Sequence, residues 1–278
     1  FEGNILPDIE AFSTVLNPLQ IRKDLYRSFY ETHLNEIPEK FHHILRCYIP
    51  ETEKFPCFDL RKRLLERRFG PAFGNLKRIV LAGMGSSFHM GLTARSIFQN
   101  LLPAADIRVV QPSEIDDIRR QIFPETDLVV LLSWSSTTAD MMEFAKTLRQ
   151  SRVVMIGITE KVFADMALIC QKSGGVIPIL SGEEVTVSGI KSTLCMLFCL
   201  HLFAVWMGQQ MKTAGGWDYA EKLRQIPDEL SSLVTDNGIK KFAARLAEKN
   251  ARSHACILIA DAAYLPVCRE AVFKLEEC

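Results

Sequence analysis

Two short stretches of this sequence concentrate hydroxyl groups beside small residues. Leu81–His89 reads LAGMGSSFH and Leu132–Asp140 reads LSWSSTTAD. The second places Ser133, Ser135, Ser136, Thr137 and Thr138 within six positions. Each hydroxyl can donate to a phosphate oxygen, and a helix that follows adds free N–H groups and a favourable dipole. Gly83 and Gly85 let the backbone come close to a ligand, while Ser86 and Ser87 add further donors. The stretches lack the spaced glycines and lysine of a P-loop, and GMGSSF is not a dinucleotide fingerprint. A neutral hydroxyl cradle suits one phosphate monoester better than a triphosphate. Ser and Thr also cap helices, but five hydroxyls in six positions exceed what a cap needs.

Two other places could complete such a site. Ser181–Thr193, SGEEVTVSGIKST, opens an apolar segment. It either lines the same crevice or is a turn followed by a cap. Near the end, Glu270, Lys274 and Glu277 are spaced by four and three, so they share one helix face. By charge alone that face is solvated. His89 is either a base or a packed residue one step into its helix.

These residues need a frame, and the apolar pattern supplies one. Arg78–Ala82, Ile107–Val110, Asp127–Leu132, Val153–Ile158 and Val176–Leu180 are short, continuous and apolar. Strands covered on both faces read this way. Phe88–Leu101 and Thr138–Gln150 are long enough for crossover helices, so a doubly wound parallel sheet flanked by helices is predicted. Both hydroxyl stretches then fall at carboxyl ends of strands, where such folds bind ligands. Residues 1–75 read as a helical, proline-broken segment. Helices are predicted at Tyr219–Leu233 and Asn237–Lys249, a strand at Ala255–Ala260 and a last helix from near Tyr264.

Composition narrows the function classes. Lys+Arg and Asp+Glu are both 33 in 278 residues, without the basic excess usual for a nucleic-acid binder. The basic run Arg61–Arg68 reads as a solvated helix face. Ser192–Met207 is shorter than the roughly 20 residues of a membrane span and reads as a buried core helix. The N-terminus has no basic region of a signal peptide. The eight cysteines form no Cys-x-x-Cys pair and no zinc spacing. Buried free thiols at Cys195 and Cys199 suit a reducing cytoplasm.

At these motifs the sequence resembles the sugar isomerase (SIS) domain family. The likeness is strongest to the isomerase half of glucosamine-6-phosphate synthase and to related aminosugar-phosphate deaminases and deglycases. GMGSSFH is similar to the family's Gly/Cys-Gly-Thr/Ser-Ser loop, and SWSSTTAD to its Ser-x-Ser-Gly-Glu/Thr-Thr-x-Asp loop. EEVTVSGIKST is similar to its Glu-x-x-Val-Ala-Ser-Thr-Lys segment, and REAVFKLEE to its Glu-Gly-Ala-Leu-Lys-Leu-Lys-Glu helix. The likeness covers residues 25–278.

The resemblance implies a three-layer fold and an open-chain hexose or aminohexose 6-phosphate as ligand. Gly85, Ser86, Ser87, Ser133, Ser135, Ser136 and Thr138 would bind it, with Val187 touching the sugar through its backbone. Glu277 would move a proton between C1 and C2, with Lys274 beside it. No cofactor, metal, nucleic acid or membrane is implied. It also implies a homodimer, to which Phe12, Tyr26, Phe29 and Tyr30 could contribute cover. A first SIS domain is expected at 76–215, with linker helices and the start of a second at 216–278. Trp134 stands where glutamine is common, Ser136 and Thr137 replace Gly and Glu, and Gly189 replaces a sugar-contacting serine. Those departures keep a second reading open: a sugar-phosphate sensor without catalysis, which has no use for Glu277.

Overall fold

The computed structural model describes residues 28–114, 121–186 and 189–277. Five parallel strands form one sheet in the order β2-β1-β3-β4-β5. They are Arg78–Gly83 (β1), Asp106–Val110 (β2), Asp127–Leu132 (β3), Val154–Thr159 (β4) and Gly175–Pro178 (β5). The predicted runs agree with these to within two residues at each end.

The apolar runs supply both faces of the sheet by simple alternation. Ile79, Leu81, Leu128, Val130, Leu132, Ile156 and Ile158 point to one apolar cluster. Val80, Ala82, Val129, Leu131 and Met155 point to the other. The first face is covered by Ser86–Leu101 (α3), Lys191–Gln210 (α6) and the N-terminal helices Phe29–Tyr48 (α1) and Lys62–Phe69 (α2). The second is covered by Ala139–Gln150 (α4) and by Asp165–Gln171 (α5), a short helix with no forecast in the sequence reading. The edge strand β2 departs from the expected two-sided burial, because Asp106 and Arg108 face solvent and pair with each other at 2.9 Å.

The apolar segment at Ser192–Met207 extends to the 20 residues of α6. By length and composition alone it could cross a membrane, but 78% of its apolar window is buried inside the fold. It is the core helix: Phe198 stacks on Phe41 of α1 with ring centroids 4.2 Å apart. Cys195 and Cys199 are buried free thiols within it. Burial also pushes the His201 imidazole down to about 4, so this core histidine is neutral at pH 7.

The chain then leaves the sheet through Gly216–Thr235 (α7) and Asn237–Asn250 (α8). No residue of α8 is buried. The strand expected at Ala255–Ala260 is a correction: the segment is irregular, with Ile257 83% and Ile259 91% exposed. An apolar run becomes a strand only by pairing its N–H and C=O groups with a neighbour, and no described strand lies beside it. Leu265–Glu277 (α9) returns to pack on α3.

Candidate functional site

The strand order reverses between β1 and β3, and open α/β sheets bind ligands at that switch point, beyond the strands' carboxyl ends. The two hydroxyl stretches sit there. β1 ends at Gly83, where a Cβ would lie 2.9 Å from the Ser87 carbonyl carbon and 3.0 Å from the Phe88 nitrogen. Only glycine lets α3 start this close to the strand. Gly85 precedes the helix at φ 52°, in the left-handed region that glycine enters without cost.

A cavity of about 410 Å³ opens at this point. Gly85, Ser86 and Ser87 form one side, and α9 forms another through Phe273, Lys274 and Glu277. Lys274 Nζ donates to Ser86 Oγ at 2.8 Å. It also pairs with Glu277 Oε2 at 3.3 Å and Glu270 Oε1 at 3.1 Å. Glu270 Oε2 lies 2.7 Å from His89 Nδ1, and the Phe273 ring stands edge-on to that imidazole. His89 is thus packed against α9, with a carboxylate at its Nδ1. Glu277 keeps a side chain 28% exposed at the cavity, against 15% for Lys274.

The second hydroxyl stretch braces itself. The Ser136 N–H donates to Ser133 Oγ (3.1 Å) and the Thr137 N–H to Ser135 Oγ (3.3 Å). Ser136 has φ 55°, is fully buried, and shares a 2.7 Å hydrogen bond with Thr159. Thr138 is the N-cap of α4, makes no side-chain cap bond and is exposed. Ser133, Ser135, Ser136 and Thr138 are not among the residues lining the cavity; Trp134 is. Lys161 Nζ lies 5.0 Å from the centre of the indole.

The third stretch does both things the sequence left open. Glu184, Thr186, Gly189, Ser192 and Thr193 line the cavity. The Glu184 carboxylate also caps, accepting the Ser192 N–H at 2.8 Å and the Thr186 hydroxyl at 2.7 Å. Val187 lies outside the described residues. The cavity thus has a polar wall of hydroxyls and carboxylates and an apolar wall of Met84, Trp134, Met196 and Phe273. Glu184 and Thr186 lie in the stretch expected at the crevice but were not singled out in it, and Met84, Met196 and Phe273 of the apolar wall were not expected there. The acidic pair Glu183-Glu184 ahead of an apolar helix was the one visible signal.

Fold and site together define a doubly wound α/β domain with a part-polar cavity at its switch point. Residues 73–206 match the SIS domain family model. It is 25% identical over 225 residues to the glutamine–fructose-6-phosphate aminotransferase (isomerizing) of Pseudomonas putida, covering 78% of this chain and 36% of that protein. The Helicobacter pylori enzyme of the same name is 23% identical over 257 residues, covering 92% and 41%. The chain therefore spans about two fifths of the curated relatives it matches. Among solved structures, the C-terminal domain of glucosamine-fructose-6-phosphate aminotransferase from Francisella tularensis superposes with a TM-score of 0.78 at 19% identity, covering 92% of this chain and 68% of that one. A putative phosphosugar isomerase from Silicibacter pomeroyi gives 0.65 at 16%, covering 88% and 67%.

Proposed function

We propose that this chain binds an open-chain hexose or aminohexose 6-phosphate in the β1–β3 cavity and moves a proton between C1 and C2. The observation that carries the reading is the Lys274–Ser86 hydrogen bond. It brings a carboxylate, Glu277, to the loop best suited to hold phosphate. In this reading the hydroxyls of Ser86 and Ser87 receive the phosphate at the positive end of the α3 dipole. Gly85 leaves room for it. Ser135 and Thr138 complete the cradle from the facing loop, which Ser133 and Ser136 hold in shape. Glu277 is the base, and Lys274 faces the sugar oxygens. Isomerase and deaminase outcomes share this proton transfer. A homodimer in the cytoplasm, with α7–α9 leading into a second SIS domain, belongs to the same proposal.

Trp134 favours one rival. A bulky indole on the cavity wall suits a sensor that holds its ligand without turning it over. Both readings require phosphate recognition, and a thermal-unfolding titration tests that requirement. Hexose 6-phosphates at 100 times their dissociation constant are expected to add about 2.7 kcal/mol of stability. The unphosphorylated sugars are expected to add nothing at the same concentrations. Equal responses to both would remove the phosphate site from consideration.

A further inference from the structure

α1 stands outside the alternation of strands and helices, yet one of its side chains reaches the cavity rim. His33 is only 5% exposed. Its Nε2 accepts the Val185 N–H at 3.2 Å, and its Nδ1 lies 3.0 Å from Glu36 Oε2. The imidazole thus meets the rim amide through Nε2 and Glu36 through Nδ1.

Glu36 holds the ring from its Nδ1 side. Burial raises its pKa, but the bonds from Lys191 and His33 outweigh this and hold it below the ordinary value. Lys191 Nζ lies 2.6 Å from the same Glu36 oxygen. A continuous series of polar contacts therefore runs from Lys191, the first residue of α6, through Glu36 and His33 of α1 to the Val185 amide. Val185 sits between Glu184 and Thr186, which both line the cavity. Glu184 Oε1 is also 3.5 Å from His33 Nε2, and the Glu184 oxygens are engaged by Thr186 and Ser192.

A part-buried main-chain N–H needs an acceptor, and here a distant helix supplies it. Without His33 the amide must turn toward water, and Glu184 and Thr186 move with it. We propose that His33 is a positioning residue: through the Val185 amide it holds the Glu184–Thr186 rim in the shape that receives the ligand, without touching the ligand itself. Its effect on sugar-phosphate affinity rests on the function proposed above; its effect on the rim does not.

The test compares the parent with His33→Gln, which keeps an acceptor of similar reach, and His33→Leu, which keeps volume and removes the acceptor. Amide hydrogen exchange is followed across 181–186 and across β3 and β4. Binding of fructose 6-phosphate is measured on the same proteins. His33→Leu is expected to speed exchange in 181–186 about tenfold, with the strands unchanged, because a lost acceptor opens the rim locally. The dissociation constant is expected to rise about tenfold, the cost of holding a competent rim only part of the time. His33→Gln is expected to stay close to the parent in both. Parent-like exchange in 181–186 of the Leu variant overturns the proposal. So does a Leu variant that loses protection throughout the sheet while Gln gives no rescue, which would make His33 a packing residue. If the parent binds no hexose 6-phosphate, the proposed function fails, and the exchange measurement alone decides the role of His33.

Discussion

Glu277→Gln is expected to keep sugar-phosphate binding while slowing C1–C2 proton transfer by about 100-fold or more, the usual share of general base catalysis. Glutamine has the same shape and can still accept a hydrogen bond, but it cannot take a proton. The substitution should leave the fold intact. Lys274 keeps its 3.1 Å pair with Glu270 and its bond to Ser86, so α9 stays on α3. A partly exposed pair such as Lys274–Glu277 contributes about 1 kcal/mol or less. Affinity and stability are therefore expected to change little, and turnover to change greatly. Turnover like that of the parent would show that another group is the base.

The second large effect concerns Lys274. Lys274→Met is expected to lower stability by about 2–3 kcal/mol, below the 3–5 kcal/mol typical of a fully buried pair because Glu277 is partly solvated. Lys274 joins three partners, Ser86, Glu270 and Glu277, across the α3–α9 contact. Methionine fills the stem but leaves the buried Glu270 carboxylate with His89 as its remaining ionisable partner. In a protein of this size that corresponds to a fall in Tm of roughly 3–5 °C. The stabilisation by hexose 6-phosphates should fall with it, because Ser86 and the α3 loop lose their anchor to α9. Unchanged stability would mean that apolar packing, not this ion pair, seats α9.

How far the sequence reached depends on what each feature requires. Asp127–Leu132 was legible because a strand buried on both faces needs an unbroken apolar run. The place of the hydroxyl loops, at the ends of β1 and β3, was legible because each directly follows an apolar run. Ala255–Ala260 looked equally apolar but has no partner strand in the described chain, and pairing cannot be read from one segment. α5 spans only seven residues, too short for periodicity to mark. Ser136 looked like Ser86 in sequence, yet its positive φ and its bond to Thr159 turn the hydroxyl into the loop. The pairing of His89 with Glu270 joins residues 181 apart, and the anchoring of Val185 by His33 joins residues 152 apart. Contacts of that range leave no local pattern in the sequence.

Exchange of a sugar proton by a carboxylate at the β1–β3 edge is read out by proton NMR in D2O. The parent chain is incubated with glucose 6-phosphate, fructose 6-phosphate and their amino analogues, and deuterium at C1 and C2 is followed over time. Deuterium is expected to enter at C1 or C2 of at least one of these sugars with the parent, and at least about 100-fold more slowly with Glu277→Gln, in line with the loss of a general base. Sugar phosphates that bind, and stabilise the protein, yet gain no deuterium from the parent would contradict this expectation and leave the cavity as a sensor's binding site.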